Sequence, residues 1–308
     1  MSKQISVNEP SGVLIVNKHA GVTSHDVVNK IRRLYGTRRV GHTGTLDPMA
    51  TGVLVVLIGR AAKASEYLVS DSKCYRATLR LGITTDTEDT TGAVLSSCDT
   101  LPDFEKLEAI LPQFRGKIQQ IPPMYSALKV GGKKLVDLAR QGQTVERQSR
   151  EIEIFELNAA PTDTPSDFIL DVRCSGGTYI RTLCADIGNA LGCGGAMASL
   201  VRREACGFPI SDAHTVAELE SMTETERTAL LISTESLFAS LDEVRLPAFY
   251  EKLCRSGCEI YQKKIGTDFP VGARVRILTA SGEFFALGEV REYEDGTAVK
   301  AVKTFSLE

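Results

Sequence analysis

Residues 41–52 read GHTGTLDPMATG: three glycines, one histidine and one acid in a dozen positions, followed directly by the apolar run 53–58. A loop this rich in glycine needs unusual backbone angles, and loops of that kind more often carry function than packing. Asp47 is therefore the first candidate for chemistry. A carboxylate can attack an electrophilic sugar carbon or move a proton. To stay ionised in a closed pocket it needs a cation or hydrogen-bond donors beside it. Arg181, near the start of the helix expected after Gly176 and Gly177, is the candidate partner. Taken singly, each residue also has an ordinary role: Asp47 as an Asx-turn before Pro48, Arg181 as a surface ion pair. Tyr75, just inside a strand after the polar stretch Ser70-Asp71-Ser72-Lys73, can be a half-buried strand tyrosine. His42 can be a general base, a base-stacking group or a structural hydrogen bonder, and spacing does not decide among them.

The glycine content first suggests a phosphate-binding loop, but the spacing excludes it. A Walker loop ends in Gly-Lys-Ser/Thr, and here Gly52 is followed by Val53. The loop also runs into a strand, so no helix N-terminus faces an anion.

The elements that must position these residues follow from periodicity. A short buried strand is expected over 13–17. A helix with Val27, Val28, Ile31 and Leu34 on one face follows, with Ser24 as its N-cap and Gly36 as its stop. Strands are expected over 53–58 and 75–81, a polar turn over 84–91, a helix over 104–111 and strands over 152–157 and 168–174. Thr178 is expected to cap the helix that carries Ile180, Leu183, Ile187 and Leu191, and a further short helix spans 215–219. Between two strands lies a basic, glycine-containing excursion with Lys129, Lys133 and Lys134, which suits a mobile arm or an ordinary surface loop. Beyond residue 245 three short alternating segments separated by Ser281-Gly282 and Asp295-Gly296 read as a β-meander. The fold class is thus α+β: a catalytic domain over 1–244 with an inserted segment at about 124–151, and a small all-β domain over 245–308.

The chain has 308 residues, 43% of them hydrophobic, enough for one large domain and a small one. No apolar stretch of about 18 residues offers a transmembrane helix, and the N-terminus has no apolar signal core, so a cytoplasmic location and no membrane partner are expected. Eight cysteines without a C-x-x-C pair and only four histidines suit reduced thiols rather than a zinc site. The net charge of −3 argues at first against a nucleic-acid partner. It is uneven: residues 212–243 hold eight acids against Arg227 alone, −7 net, so the remainder carries +4. The basic clusters in that remainder, including Arg32, Arg33, Arg38 and Arg39, raise the case for a polyanionic partner.

Together these segments resemble the TruB family of tRNA pseudouridine synthases. The matching stretches are NK at 17–18, GVTSHD at 21–26, GHTGTLDP at 41–48, ATGVL at 50–54, KCYR at 73–76, PPMYSALK at 122–129, GTYIRTL at 177–183 and LVRR at 200–203, in the family's order. The C-terminal meander is similar to the small RNA-binding PUA barrel. The resemblance implies a central mixed, mainly antiparallel sheet flanked by helices, no metal or organic cofactor, and isomerisation of uridine 55 in the T loop of tRNA to pseudouridine. It implies Asp47 as the essential aspartate, Tyr75 as the tyrosine stacked on the target base and Arg181 as the aspartate's partner. His42 would hold the flipped-out loop, Leu200 would line the pocket and Lys18 would sit beside it. Tyr179, Arg32, Arg39, Lys129 and Arg202 complete the expected substrate contacts. One departure is His19, where the family usually has proline, which bears on local rigidity. The leading reading is a monomeric enzyme that acts on the T stem-loop with no obligatory protein partner. A tRNA-folding chaperone and a guide-RNA-dependent synthase are the alternatives.

Overall fold

The computed structural model describes residues 10–68 and 72–306. The first six residues, Ser70 and Asp71 lie outside the described residues. No described helix is long and apolar enough to cross a membrane.

β1 (Gly12–Lys18) and β3 (Thr51–Ile58) are buried almost end to end, which explains their continuous apolar runs. Between them come α1 (Ser24–Leu34) and the short β2 (Val40–His42). α1 is capped by Thr23, not by Ser24 as the sequence suggested. Thr23 and Asp26 form a capping box in which each side chain bonds the other's backbone N–H. That frees Ser24 for another task. β4 (Lys73–Leu81) follows, then the hairpin β5 (Ile83–Thr85) and β6 (Val94–Ser97), α2 (Phe104–Ile110) and β7 (Gly116–Gln120). The insertion is a two-stranded hairpin, β8 (Lys129–Val130) with β9 (Lys133–Lys134), leading into α3 (Leu135–Arg140). The chain then returns through β10 (Arg150–Pro161), β11 (Asp167–Cys174), α4 (Ile180–Ala190) and β12 (Gly195–Ala205). The short β13 (Phe208–Pro209) and β14 (His214–Thr215), α5 (Val216–Ser221) and α6 (Glu224–Ala229) close the larger unit.

These strands form one ten-stranded sheet ordered β14-β1-β3-β12-β4-β11-β10-β7, with β2 on β3 and β13 on β12. Most pairs are antiparallel, and β12 runs parallel to β3 at its centre. The parallel contact is close at Gly52, where φ is +97° and a Cβ would stand 2.2 Å from the Arg202 carbonyl oxygen. The last glycine of the dodecapeptide is therefore required by sheet packing as well as by its backbone angle.

One face of the sheet packs Leu14, Val16, Leu54, Val56, Tyr75, Ala77 and Leu79 against Val27, Val28 and Ile31 of α1 and Leu183 and Ile187 of α4. The other face divides. Under β1 and β3, the alternate residues Val13, Ile15, Val53, Val55 and Leu57 meet Phe238, Leu287 and Phe305. Under β4 and β11 it is solvent-facing and laced by the cross-strand pairs Arg76–Asp171 and Arg80–Asp167, each at 2.7 Å. Hence β4 alternates polar and apolar while β3 does not.

The C-terminal unit is a five-stranded sheet ordered β15-β17-β18-β19-β16, from β15 (Asp242–Arg245), β16 (Ile260–Tyr261), β17 (Arg274–Leu278), β18 (Phe284–Tyr293) and β19 (Gly296–Thr304). α7 (Ala248–Arg255) and α8 (Gln262–Ile265) connect its first strands. The meander expected from the sequence is β17 to β19. Asp242–Arg245 pairs in parallel with β17. The two units share a core: Phe284, Phe305 and Phe238 stack beneath β1 and β3, and the Lys63 ammonium reaches the Thr304 carbonyl at 2.9 Å.

Candidate active site

The loop carrying Asp47 is fixed by side chains from three distant elements. Ser24 Oγ accepts from the Leu46 N–H at 2.8 Å and donates to the Leu46 carbonyl at 3.0 Å. Lys18, fully buried, points its ammonium at the carbonyls of Ala50 (2.6 Å), His19 (3.0 Å) and Pro48 (3.2 Å), which uses all three of its N–H bonds. Arg202 donates from Nε to Val53 (2.7 Å), from Nη2 to Gly44 (3.0 Å) and from Nη1 to Thr45 (3.4 Å). Arg202, expected among the substrate contacts, is 1% exposed and built into the loop. The Asp47 turn is closed by its backbone, the carbonyl accepting from Ala50 N–H at 3.0 Å.

The Asp47 carboxylate is held by Arg181. Nε meets Oδ2 at 2.9 Å and Nη2 meets Oδ1 at 3.2 Å, a two-pronged pairing that fixes the plane of the carboxylate. The remaining guanidinium donors go to the Thr87 carbonyl at 2.9 Å and the Tyr125 carbonyl at 2.8 Å. Asp89 Oδ2 lies 3.9 Å from Nη1. The Arg181 side chain is 6% exposed and that of Asp47 33%. The acid therefore opens to solvent on one side with a buried cation behind it, a geometry in which it can approach an electrophile. The buried Lys18 and Arg202 add positive charge beneath the same loop. Burial pushes the Lys18 pKa down to about 8, although the attraction of Asp47 works against that shift and Arg202 adds to it.

Tyr75 stands opposite Arg202 in the β4–β12 register, 8% exposed. Burial raises its phenol pKa, and the Arg202 guanidinium beside it opposes the shift, so the ring is neutral. Leu200, opposite Ala77, belongs to the same apolar cluster as Tyr75 and Leu46. Tyr179 is the N-cap residue of α4 and not Thr178, whose hydroxyl instead donates to the Ser175 carbonyl at 2.9 Å. Burial raises the Tyr179 phenol pKa as well, with the Ser126 hydroxyl and the charge of Asp47 among its neighbours.

His42 lies on β2, with its Nδ1 buried and unpartnered among the described residues. Burial, Arg202 and His25 all push its pKa down, so the imidazole is neutral and adds no positive charge at neutral pH. Arg32 donates to Asn29 at 3.0 Å and to the Val40 carbonyl at 3.2 Å, tying α1 to β2. Arg39 is exposed and shares a basic recess with Arg38, Arg60 and Lys63. Lys129 is exposed on the inserted hairpin.

Three contributors have no obvious signal in the sequence. Ser24 has the residue type and position of a cap and serves as a strut. Residues 84–91 look like a bare polar turn, yet Thr87 and Asp89 fold over Arg181. Asp89 is itself fixed by the Thr87 hydroxyl at 2.9 Å and the Thr91 N–H at 2.9 Å. Gln120 ends β7 and holds the backbone of Tyr179.

Residues 32–180 match the model of the TruB family pseudouridylate synthase N-terminal domain, and residues 181–248 match the tRNA pseudouridylate synthase B C-terminal domain. The chain is 40% identical over 282 residues to tRNA pseudouridine synthase B of Francisella tularensis subsp. novicida, covering 91% of each. The chain belongs to the TruB family. It is 40% identical over 278 residues to the protein of that name from Clostridium novyi, covering 90% of this chain and 95% of the relative. Over 224 residues it is 46% identical to that of Syntrophotalea carbinolica, covering 72% of this chain and 73% of the relative. Among solved structures, it is similar to a chain of a Cbf5-Nop10-Gar1 complex, with a TM-score of 0.75, 25% identity, and coverage of 99% of this chain and 88% of that one. As a TruB-family protein it is an isomerase of the pseudouridine synthase class. The two family models meet between Ile180 and Arg181, so the Asp47–Arg181 pair joins the N-terminal model to the C-terminal one.

Proposed function

We propose that this TruB-family chain isomerises uridine 55 in the T loop of tRNA to pseudouridine, with Asp47 as the nucleophile. The observation that carries the reading is the two-pronged Arg181–Asp47 pair, which presents one carboxylate to solvent from a loop otherwise held rigid by buried cations. Relatives of nearly equal length named for tRNA pseudouridine synthesis supply the substrate class.

A uridine must leave its stack before its sugar–base bond can be reached, at a cost of about a few kcal/mol. Tyr75 offsets part of that by stacking, worth about 1–3 kcal/mol per base. In the isomerisation the N1–C1′ bond breaks, the uracil turns and a C5–C1′ bond forms. C5 loses its proton and N1 gains one, so composition is unchanged and nothing outside the substrate is consumed. Asp47 engages the nucleoside while Arg181 holds the carboxylate in orientation. Leu200 and Tyr179 wall the pocket, His42 contacts the displaced loop as a neutral ring, and Arg39 and Lys129 meet phosphates. The five-stranded C-terminal unit acts as a PUA-like RNA-binding module. The protein works in the cytoplasm as a monomer, without protein partner or guide RNA.

Guide-RNA-dependent action is the second reading, and the likeness to the Cbf5 chain, solved with Nop10 and Gar1, supports work within a protein assembly. Mass mapping of a T-stem-loop incubated with the purified chain separates the two. Pseudouridine at the position equivalent to 55, without added RNA or protein, is the expected result. Product only with a guide RNA reverses the choice, and tight binding without product leaves a chaperone.

A further inference from the structure

α4 carries Arg181 but begins without a side-chain cap: its N-cap residue, Tyr179, has φ −99° and ψ 107° and makes no side-chain capping bond of its own. A side chain from the far edge of the sheet holds the backbone of that residue instead. Gln120, 2% exposed at the end of β7, accepts from the Tyr179 N–H through Oε1 at 2.8 Å and donates from Nε2 to the Tyr179 carbonyl at 3.0 Å. A single carboxamide thus reads both polar groups of one residue, as a neighbouring strand would. Two residues on, Arg181 is aimed at Asp47. Gln120 is also the last strand residue before the segment that supplies Tyr125, whose carbonyl takes the Arg181 Nη2 at 2.8 Å. Both ends of that connection therefore converge on Arg181.

We infer that Gln120 is a positioning residue for the pseudouridine-forming site: it fixes the start of α4 so that the Arg181 guanidinium and the Tyr179 ring meet Asp47 and the substrate in one geometry. The inference rests on the functional reading above. The carboxamide is uniquely suited because it offers one acceptor and one donor side by side. An ionised glutamate keeps the acceptor and sets its second oxygen against the Tyr179 carbonyl. A protonated glutamate restores the donor. Burial favours the protonated form of that side chain and Arg150, opposite Gln120 on β10, favours the ionised one, so Gln120→Glu adds a titration at this position: activity present at low pH and lost as pH rises through the pKa of the introduced carboxyl.

The test is pseudouridine formation on a T-stem-loop by wild type, Gln120→Ala, Gln120→Glu and Asp47→Asn, with RNA affinity and circular dichroism measured alongside. Gln120→Ala is expected to fold and to bind RNA within about threefold of wild type, while kcat falls about 100-fold, the scale of a small misplacement of a catalytic group. Gln120→Glu, divided by wild type at each pH, is expected to regain about tenfold in kcat between roughly pH 8 and pH 5.5. Wild-type kcat in folded Gln120→Ala overturns the inference, as does a flat pH ratio for Gln120→Glu. Failure of both variants to fold does so too, because Gln120 is then a folding residue. If wild type converts no uridine, the functional reading falls and takes the inference with it. If Asp47→Asn is inactive while Gln120→Ala is normal, only the inference falls.

Discussion

The cations of this protein fall into two regions with opposite designs. Around Asp47, Lys18, Arg181 and Arg202 are almost wholly buried, and each is committed to backbone carbonyls or to the acid itself. In the inserted hairpin, Lys129, Lys133 and Lys134 are exposed on two-residue strands. The buried cations act as rigid structural members: their desolvation is tolerated because each donor has a partner, and removing one leaves several carbonyls unsatisfied. The exposed ones are screened and individually weak, and they suit transient contact with a polyanion. The same residue types thus serve geometry in one place and encounter in the other.

The largest expected break in this contrast lies at the acid that the buried cations surround. Asp47→Asn is expected to lower pseudouridine formation by about 10⁴-fold or more while RNA binding persists, as loss of a nucleophile does elsewhere. Mass mapping of the product with a parallel gel-shift assay checks it, and normal product refutes the nucleophile assignment. Next comes Arg202→Met, which orphans the carbonyls of Val53, Gly44 and Thr45 and is expected to destabilise the chain by about 2–4 kcal/mol in urea unfolding. An unchanged unfolding midpoint would show that the loop holds itself.

Lys18 gives a sharper test because activity and stability move in opposite directions. Below pH 8 the ammonium is charged in both folded and unfolded chains. Between about 8 and the ordinary value of 10.5, the unfolded chain keeps the proton and the folded one has lost it. This group therefore makes the fold more stable as pH rises through that window. The neutral amine, however, has two N–H donors for three carbonyls. Activity is expected to fall about tenfold above pH 8 without a matching loss of stability from this group, and the alkaline limb is expected to vanish in Lys18→Met. A pH–rate profile that is identical in both proteins excludes Lys18 as its cause.

The smallest effect belongs to the exposed region. Lys129→Ala with Lys133→Ala and Lys134→Ala is expected to change stability by less than about 0.5 kcal/mol and to weaken RNA binding. The salt dependence of binding should become shallower by about 0.7–0.9 for each phosphate that the triple variant no longer neutralises. An unchanged salt slope would place these lysines outside the interface.

Much of the scaffold was legible locally. The apolar stripe of α1, the alternation along β4, the basic excursion and the turns of the C-terminal meander are all signals within a few residues, where backbone geometry sets the period. Sequence and structure part where two neighbours could do the same job. Thr23 and Ser24 are both good caps, and only the Leu46 backbone shows which is free to be a strut. Thr178 has the residue type of a cap, but its hydroxyl turns back to Ser175, and the backbone of Tyr179 is held by Gln120.

The sequence by itself determined that Asp47 sits in a glycine-rich loop ahead of a buried strand, and, through several ordered motifs, which family the chain belongs to. Only the tertiary structure decided what that loop rests on. Ser24, Gln120, Asp89 and Arg202 are scattered along the chain and become neighbours of the site only when the sheet assembles. The same packing buried Arg202, expected to face a ligand, while leaving Lys129 in solvent. Sequence records a residue's charge, but its role depends on the dielectric around it and on the partners it meets, and both are set by long-range packing.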